Sequence, residues 1–275
     1  MSEKISLAGD LGSGKSTLSR ILVERLGMEY YSTGNICREV AARHHISVVE
    51  MNRYMETHPE LDHEIDDGLA ALSDDPRPLL IDSRMAWHFT RGTFRVYLST
   101  ALEVSAARIH AAGRSDEHFT SVEETAEKIR QRQESESRRY LSFYGVDNRD
   151  LSHYDLIVDT TYASPEAVAD CVCEAFAAWC EDKSRRACFL SPLRLHYPAD
   201  RTGDPAAAAA LAERIDAGER PVVAVFQNRQ DFCVKGDPTT ALAYALTSLI
   251  YVPCRLAPPT AEEQKAAYAP MADSL

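Results

Sequence analysis

The spacing of glycine, lysine and serine over residues 9–16 restricts the possible folds of this chain more than any other feature. The segment reads Gly-Asp-Leu-Gly-Ser-Gly-Lys-Ser and fits the pattern G-x-x-x-x-G-K-[S/T], whose glycines let successive backbone N–H groups point at phosphate oxygens. A short apolar run at residues 5–8 precedes it, and apolar residues at helical spacing follow it from Leu18 to Leu26. This order of buried strand, loop and helix predicts a protein that binds a nucleoside triphosphate.

Each residue type in the loop has its own role in that interpretation. Lys15 would reach the β- and γ-phosphates of ATP, and the Ser16 hydroxyl would ligate Mg²⁺. The N-terminus of the following helix would favour the anion. The residues expected to bind the nucleotide are Gly9, Gly12, Ser13, Gly14, Lys15, Ser16 and Thr17. The alternative is an ordinary glycine-rich turn between a strand and a helix.

Charge and cysteine content limit the partners and the compartment. The 275 residues carry a net charge of −12, which argues against nucleic acid or an anionic membrane as the main partner. No apolar run is long enough to span a bilayer, and the phosphate-binding loop begins within the first ten residues, where a signal peptide would lie. The seven cysteines show no C-x-x-C spacing, so we expect reduced thiols in a cytoplasmic protein rather than a zinc site.

Strands alternate with helices as far as residue 181, which is typical of an α/β fold of the P-loop NTPase type, a parallel sheet with helices on both faces. The predicted strands include 79–83, 94–99 and 155–159, and the predicted helices include 102–110, 121–140 and 164–181. A charged joint at 183–186, which we expect to be solvated, follows, and the composition then changes. We therefore expect two domains, residues 1–181 and a small α+β domain over residues 185–275, with helices at 206–216 and 238–248 and strands at 221–226 and 250–255.

Two segments outside the loop indicate a site for a second phosphate group. Thr33 and Gly34 are followed one helical turn later by Arg38, so a hydroxyl, a small residue and a guanidinium group converge. Asp82 and Arg84 stand at the carboxyl end of an apolar strand, where ligands bind in open α/β sheets. Asp82 would hold a Mg²⁺-bound water, and Arg84 would bind the acceptor phosphate. The alternatives are a helix cap with a surface arginine and a surface ion pair.

A run of arginines is the third feature. Arg108 precedes a polar loop, and Arg132 and Arg139 lie on the long charged helix that follows it. One interpretation is a lid whose arginines close on the phosphoryl group in transfer. The alternative is a solvated helix with internal ion pairs, since arginines and glutamates recur four residues apart along it. Tyr140 and Tyr144 are expected to pack in the core rather than to contact a base.

Together these segments resemble the cytidylate kinases, particularly the short form of archaea and some bacteria. The likeness covers residues 4–175. It rests on the phosphate-binding loop and on four further stretches: Ser-Thr-Gly-Asn-Ile-Cys-Arg, Glu-Thr-His-Pro-Glu-Leu-Asp-His-Glu-Ile-Asp, Ile-Arg-Gln-Arg-Gln-Glu-Ser-Glu-Ser-Arg-Arg-Tyr and Tyr-Asp-Leu-Ile-Val-Asp-Thr. The chain has Asp-Ser-Arg where the family usually has Glu-Gly-Arg, and Ser105 where the family has an arginine beside the lid.

The resemblance implies a kinase that uses ATP and Mg²⁺ to phosphorylate CMP or dCMP. The expected catalytic residues are Lys15, Arg108, Arg132 and Arg139. The residues expected to bind the acceptor are Thr33, Gly34, Arg38, Asp62, Arg84 and Glu136, with Glu136 near the base. The expected metal ligands are Ser16 and Asp82. The alternatives are a kinase for another small acceptor and an ATP-dependent switch that engages a partner.

Residues 185–275 resemble the ParB/sulfiredoxin-like fold. The likeness rests on Ile-Asp-Ala-Gly-Glu-Arg-Pro-Val-Val-Ala-Val, on Val-Lys-Gly-Asp and on the helix after it. Residues 235–240, Lys-Gly-Asp-Pro-Thr-Thr, lack the histidines and arginine of the motif that members of that fold often carry there. We therefore expect a structural or partner-binding role for this part, with another protein as the partner.

Overall fold

The computed structural model describes residues 3–34, 46, 54, 59–112 and 121–271, with side chains between 59 and 64 described only for residue 63. Several predictions lie outside these residues. They are the helical pieces between residues 36 and 55, Arg38 of the acceptor segment, the side chain of Asp62 and most of the polar loop at 111–120.

The first part of the chain alternates strands and helices. Its elements are β1 (Lys4–Gly9), α1 (Lys15–Leu26), β2 (Glu29–Ser32), α2 (Pro59–Ala71), β3 (Leu79–Asp82), α3 (Ala86–Phe89), β4 (Thr93–Ser99), α4 (Leu102–Ala112), α5 (Val122–Tyr144), β5 (Leu156–Asp159) and α6 (Pro165–Glu181). Helix α5 runs one turn beyond its predicted end at residue 140. It stops at Gly145, whose φ of 68° lies in the left-handed region that ends helices.

Polar side chains fix where the long helices begin. The Ser121 hydroxyl accepts a hydrogen bond from the Glu124 N–H at 3.1 Å and starts α5. The Ser164 hydroxyl accepts from the Ala167 N–H at 3.2 Å, with Pro165 in the first helical position of α6. Both starts are the ones predicted from the sequence.

Residues 187–271, which we call the C-terminal extension, add further strands and two helices. They are β6 (Ala187–Leu190), β7 (Leu195–Pro198), α7 (Pro205–Asp216), β8 (Val223–Asn228), β9 (Asp231–Val234), α8 (Thr239–Ala245), β10 (Val252–Leu256) and β11 (Tyr268–Pro270). Among the described residues, no helix combines the length and the apolar character needed to cross a membrane.

The strands of the described residues form one 11-stranded sheet in the order β11-β7-β9-β8-β10-β6-β5-β4-β1-β3-β2. Strand β1 lies between β3 and β4, and the pairs that join β2, β3, β1, β4 and β5 are all parallel. Strand β6 continues the sheet in parallel with β5, and β10 then pairs with β6 in antiparallel fashion. The predicted α/β class with a mostly parallel sheet is confirmed.

Hydrophobic clusters cover both faces of this sheet. On one face, Ile5 of β1 and Leu22 of α1 belong to the same buried cluster. On the other face, a single cluster joins Tyr97 of β4 to Leu195 and Phe232 of the extension. The sheet and this cluster cross the predicted boundary at residues 181–185 without a break, and the division into two domains stays a prediction.

Candidate active site

The loop between β1 and α1 has a backbone that its glycines alone permit. Gly12 has a φ of 73° and Gly14 a φ of 84°. A Cβ on Gly12 would lie 2.6 Å from the Ser105 hydroxyl and 2.8 Å from the Ser105 carbonyl oxygen. That hydroxyl itself donates to the carbonyl of Leu11. Gly12 therefore excludes a side chain both by its conformation and by the helix behind it.

The Lys15 ammonium group is folded over this loop from the first turn of α1. It donates to the carbonyl oxygens of Gly9 and Asp10, each at 3.1 Å. Burial lowers the pKa of Lys15 to about 8; the Asp82 carboxylate opposes this shift and the Arg84 guanidinium adds to it. A lysine placed beside loop amides at a helix N-terminus can pair with phosphate oxygens.

Asp10 anchors the loop to the neighbouring strand. Its buried carboxylate accepts hydrogen bonds from the Tyr97 hydroxyl and from the Thr100 N–H, both at 2.9 Å. Sequence reasoning missed this residue because the loop pattern leaves the position open to any residue type. The available signal was an acidic residue directly after an apolar strand.

A second polar group lies at the end of β3, beside β1. Asp82 pairs in register with Leu7 of β1 and accepts a hydrogen bond from the Tyr30 hydroxyl at 2.9 Å. Arg84, two residues further, forms an ion pair with Glu136 of α5 at 2.9 Å. The side chains of Arg84 and Glu136 are only 24% and 7% exposed, so the alternative of a surface ion pair does not describe Arg84.

Glu136 links two arginines from different elements. Its Oε1 atom accepts from Arg132 Nε at 3.0 Å, one helical turn earlier, and also pairs with Arg84. Burial acts to raise the pKa of Glu136, but the positive charges of Arg84 and Arg132 outweigh it and hold that pKa below its ordinary value. The ion pair expected within the helix is therefore present, and a third charge from the end of β3 ties the helix to the site.

The two other predicted arginines lie at different points around the site. Arg108 of α4 donates to the Thr160 carbonyl at 2.8 Å and to the carbonyl of the next residue at 3.3 Å, and reaches the Gly12 carbonyl at 3.5 Å. It thus joins the phosphate-binding loop to the turn after β5. The Arg139 guanidinium lies 5.2 Å from the centre of the Tyr140 ring.

Aromatic residues border the side of the site nearest β2. Tyr140 belongs to a buried cluster with Leu69, in line with the packing expected for it. The Tyr144 hydroxyl donates to the carboxylate of Asp66 on α2 at 2.6 Å. Both tyrosines and Asp66 also border the cavity described next, a position that the sequence analysis missed.

A cavity of about 670 Å³ brings most of the predicted residues together. Those that line it are Gly12, Ser13, Gly14, Lys15, Ser16, Thr17, Thr33, Gly34, Asp82, Arg84, Arg108, Arg132 and Arg139. Gly9 and Glu136 lie behind them and border a second cavity of about 20 Å³ together with Asp10.

Five parallel strands in the order β5-β4-β1-β3-β2, a phosphate-binding loop after their central strand β1 and a cavity ringed by arginines define a P-loop kinase. Residues 4–162 match the cytidylate kinase-like family, and since they make up more than half of the chain, the chain belongs to that family. The resemblance inferred from the sequence is confirmed over those residues. The likeness of residues 185–275 to the ParB/sulfiredoxin-like fold stays a prediction.

Individual proteins show how far the similarity extends. The cytidylate kinase of Methanothermobacter thermautotrophicus is 36% identical over 163 residues, which are 59% of this chain and 98% of that protein. An S-adenosylmethionine-dependent nucleotide dehydratase of Lacinutrix mariniflava is 35% identical over 177 residues, 64% of this chain and 36% of that protein. The crystal structure of an uncharacterized protein from Eubacterium ventriosum aligns with a TM-score of 0.50 at 12% identity, covering 65% of this chain and 99% of that one, and it bears on the fold alone.

Proposed function

We propose that this protein transfers the γ-phosphoryl group of ATP to CMP or dCMP. The observation that carries the proposal is that the cavity extends to both sides of the phosphate-binding loop. Arg108 and Thr160 border it toward β5, and Thr33 and Asp82 border it toward β2. Because β5 and β2 lie on opposite sides of β1 in the sheet, two ligands can approach from opposite sides and meet over Lys15.

The distribution of charge suits phosphoryl transfer between those ligands. Lys15 and the loop amides would hold the donor phosphates. Arg108 from the donor side, and Arg84 and Arg132 from the acceptor side, would stabilise the negative charge on the oxygens of the group in transfer. The reaction needs little covalent work from the protein, so positioned positive charge and exclusion of water supply most of the catalysis. Glu136 would keep Arg84 and Arg132 oriented.

The acceptor would lie toward the end of β2. Thr33 and Gly34 border the cavity there, and Arg38 and Asp62 stay predictions for the same site. The choice of a cytidine nucleotide is supported by the Methanothermobacter relative, which is named a cytidylate kinase and whose length is almost fully covered by the match.

The donor atoms beside the loop fit a magnesium ion. The Ser16 hydroxyl, in the first turn of α1, and the Asp82 carboxylate, at the end of β3, both border the cavity. Hydroxyl, carboxylate and water oxygens are the ligands that Mg²⁺ prefers. Ser16 would bind the ion directly and Asp82 through a water molecule. When bound, the ion would neutralise phosphate charge.

The test is ADP release from ATP and Mg²⁺ by the full-length protein with CMP, dCMP, UMP, AMP or GMP as acceptor. We expect turnover with CMP or dCMP, and a loss of at least about 100-fold in Lys15→Ala because the donor phosphates lose their charged contact. Lys128→Ala, which removes an exposed lysine of α5, is the matched control and should keep full activity.

Three results would contradict parts of this proposal. Full activity of Lys15→Ala would refute the mechanism. Turnover with a different acceptor alone would refute the assignment of CMP. Tight ATP binding without turnover on any acceptor would favour the alternative of an ATP-dependent switch. A protein partner for the C-terminal extension stays a prediction.

A further inference from the structure

The C-terminal extension contacts the helix that carries the site's paired charges. In the turn between β8 and β9, the side-chain amide of Gln230 donates to the side-chain carbonyl of Gln133 on α5 at 2.6 Å. Gln133 is 8% exposed and directly follows Arg132 in α5. A hydrogen bond at this point restrains the helical turn that carries Arg132, which borders the cavity, and Glu136, which lies behind it.

A buried arginine holds that turn of the extension in place. Arg194, which is 5% exposed, donates to the Gln230 carbonyl at 2.8 Å and to the Thr161 hydroxyl at 2.8 Å. It also forms an ion pair at 3.3 Å with Asp159, whose side chain is completely buried. Since Asp159 ends β5, these contacts bind the turn of the extension to the sheet of the kinase part.

The turn after β5 also binds a second arginine of the site, Arg108. The Thr160 carbonyl accepts from Arg108 at 2.8 Å, and the residues on either side of Thr160 are the ones that Arg194 binds. Asp159 also accepts a hydrogen bond from the Ser191 N–H of the extension at 3.2 Å. The extension therefore reaches both arginine-bearing helices, α5 through Gln133 and α4 through the β5 turn.

From these contacts we infer that the C-terminal extension is a positioning element for the phosphate-binding arginines, with Gln230 and Arg194 as its positioning residues. The inference rests on the proposed kinase function. Neither residue borders the cavity, so neither touches a substrate there. The Methanothermobacter relative is covered to 98% by a match that leaves about two-fifths of this chain outside it. The extension therefore affects kcat by positioning these arginines and supplies no reacting group.

The experiment compares full-length variants at the contact between the two glutamines. Gln230→Ala and Gln133→Ala each remove one amide, and the double variant removes both. In Gln230→Glu the new carboxylate can accept a hydrogen bond from the side-chain amide of Gln133, provided that this amide rotates by about 180°. This variant therefore serves as the conservative rescue. Gln264→Ala, at an exposed glutamine of the same extension, is the matched control. The readouts are kcat and KM for ATP and CMP, with hydrogen exchange of the α5 amides.

We expect Gln230→Ala to lower kcat about 3- to 10-fold, the factor that corresponds to one net hydrogen bond, with KM for ATP unchanged because the loop is untouched. The double variant should equal either single variant, since both act through one bond. Gln230→Glu and Gln264→Ala should keep kcat within about twofold of wild type. The α5 amides should exchange faster in Gln230→Ala.

Two results would overturn the inference. One is unchanged α5 exchange in Gln230→Ala. The other is a kcat for Gln230→Ala that matches the Gln264→Ala control. Absence of turnover by the wild-type protein on every monophosphate would instead refute the proposed function, and the hydrogen-exchange comparison would still decide whether the extension restrains α5. Substitution of Arg194 would leave the buried carboxylate of Asp159 without its charged partner and can prevent folding, so stability and not kcat is the informative readout for that residue.

Discussion

Replacing Glu136 by glutamine tests the charge arrangement of the site with almost no change of shape. The carboxylate is 7% exposed and holds Arg84 at 2.9 Å and Arg132 at 3.0 Å. Removing one partner of a fully buried ion pair costs about 3–5 kcal/mol. Here the two arginines are 24% and 29% exposed and border an open cavity, so water offsets part of the loss. We expect the free energy of unfolding of Glu136→Gln to fall by about 2 kcal/mol, or about 4–8 °C in Tm.

The assay is urea unfolding at pH 7 against Glu134→Gln, the same change at an exposed position of α5. Because the folded-state pKa of Glu136 lies below its unfolded value, its stabilising effect is fully present above the unfolded pKa and is lost as the pH falls through the folded pKa. The gap between wild type and Glu136→Gln should therefore be constant from about pH 6 to 8 and narrow below about pH 4. Equal midpoints for the two variants at pH 7 would refute this account.

Three further predictions concern the loop and the extension. Gly12→Ala should lose more stability and more ATP affinity than Gly92→Ala. Both glycines have φ near 72°, but a Cβ on Gly12 would meet Ser105, whereas a Cβ on Gly92 would point into open space. Equal losses of about 1–2 kcal/mol in urea unfolding would mean that the contact with Ser105 has no effect. Lys15, with a pKa of about 8, loses its charge between pH 7 and 9, so the affinity for a non-hydrolysable ATP analogue should fall about tenfold over this range. Calorimetry would measure this, and an affinity that does not change with pH would contradict the role of Lys15. Arg194→Met should lower stability by about 3–5 kcal/mol in thermal unfolding, against less than about 1 kcal/mol for the exposed Arg185→Met.

Features fixed by neighbouring residues could be predicted from the sequence. The phosphate-binding loop, the start of α5 at Ser121 and the start of α6 at Ser164 each depend on residues within one helical turn. The end of α5 lies one turn beyond the predicted residue 140, at Gly145, which is itself a local stop signal. Local sequence signals were therefore sufficient to predict the order of strands and helices as far as residue 181.

Long-range pairing could not be predicted in the same way. Periodicity shows that a residue is buried but not which residue it meets, so the bond between Arg84 and Glu136, 52 positions apart, was beyond reach. Residues 183–186 are exposed, as expected of a solvated joint, but two of them make contacts that the sequence did not indicate. Arg186 binds the buried carboxylate of Asp155 at 2.7 Å, and the Lys183 ammonium lies 3.6 Å from the centre of the Trp179 ring. These contacts tie the turn between α6 and β6 to the sheet and to α6.

The place of β6 in the sheet has a consequence for self-association. Without the extension, β5 would be the outermost strand, and its buried residues 156–159 would offer unpaired backbone groups to strands of other chains. With the extension, the outer strand on that side is β11, which spans three residues and ends at Pro270, a residue without an N–H to donate. The extension thus covers an edge strand that could pair with other chains and leaves a short edge that resists strand addition. We expect a fragment ending after α6 to aggregate more readily than the whole chain.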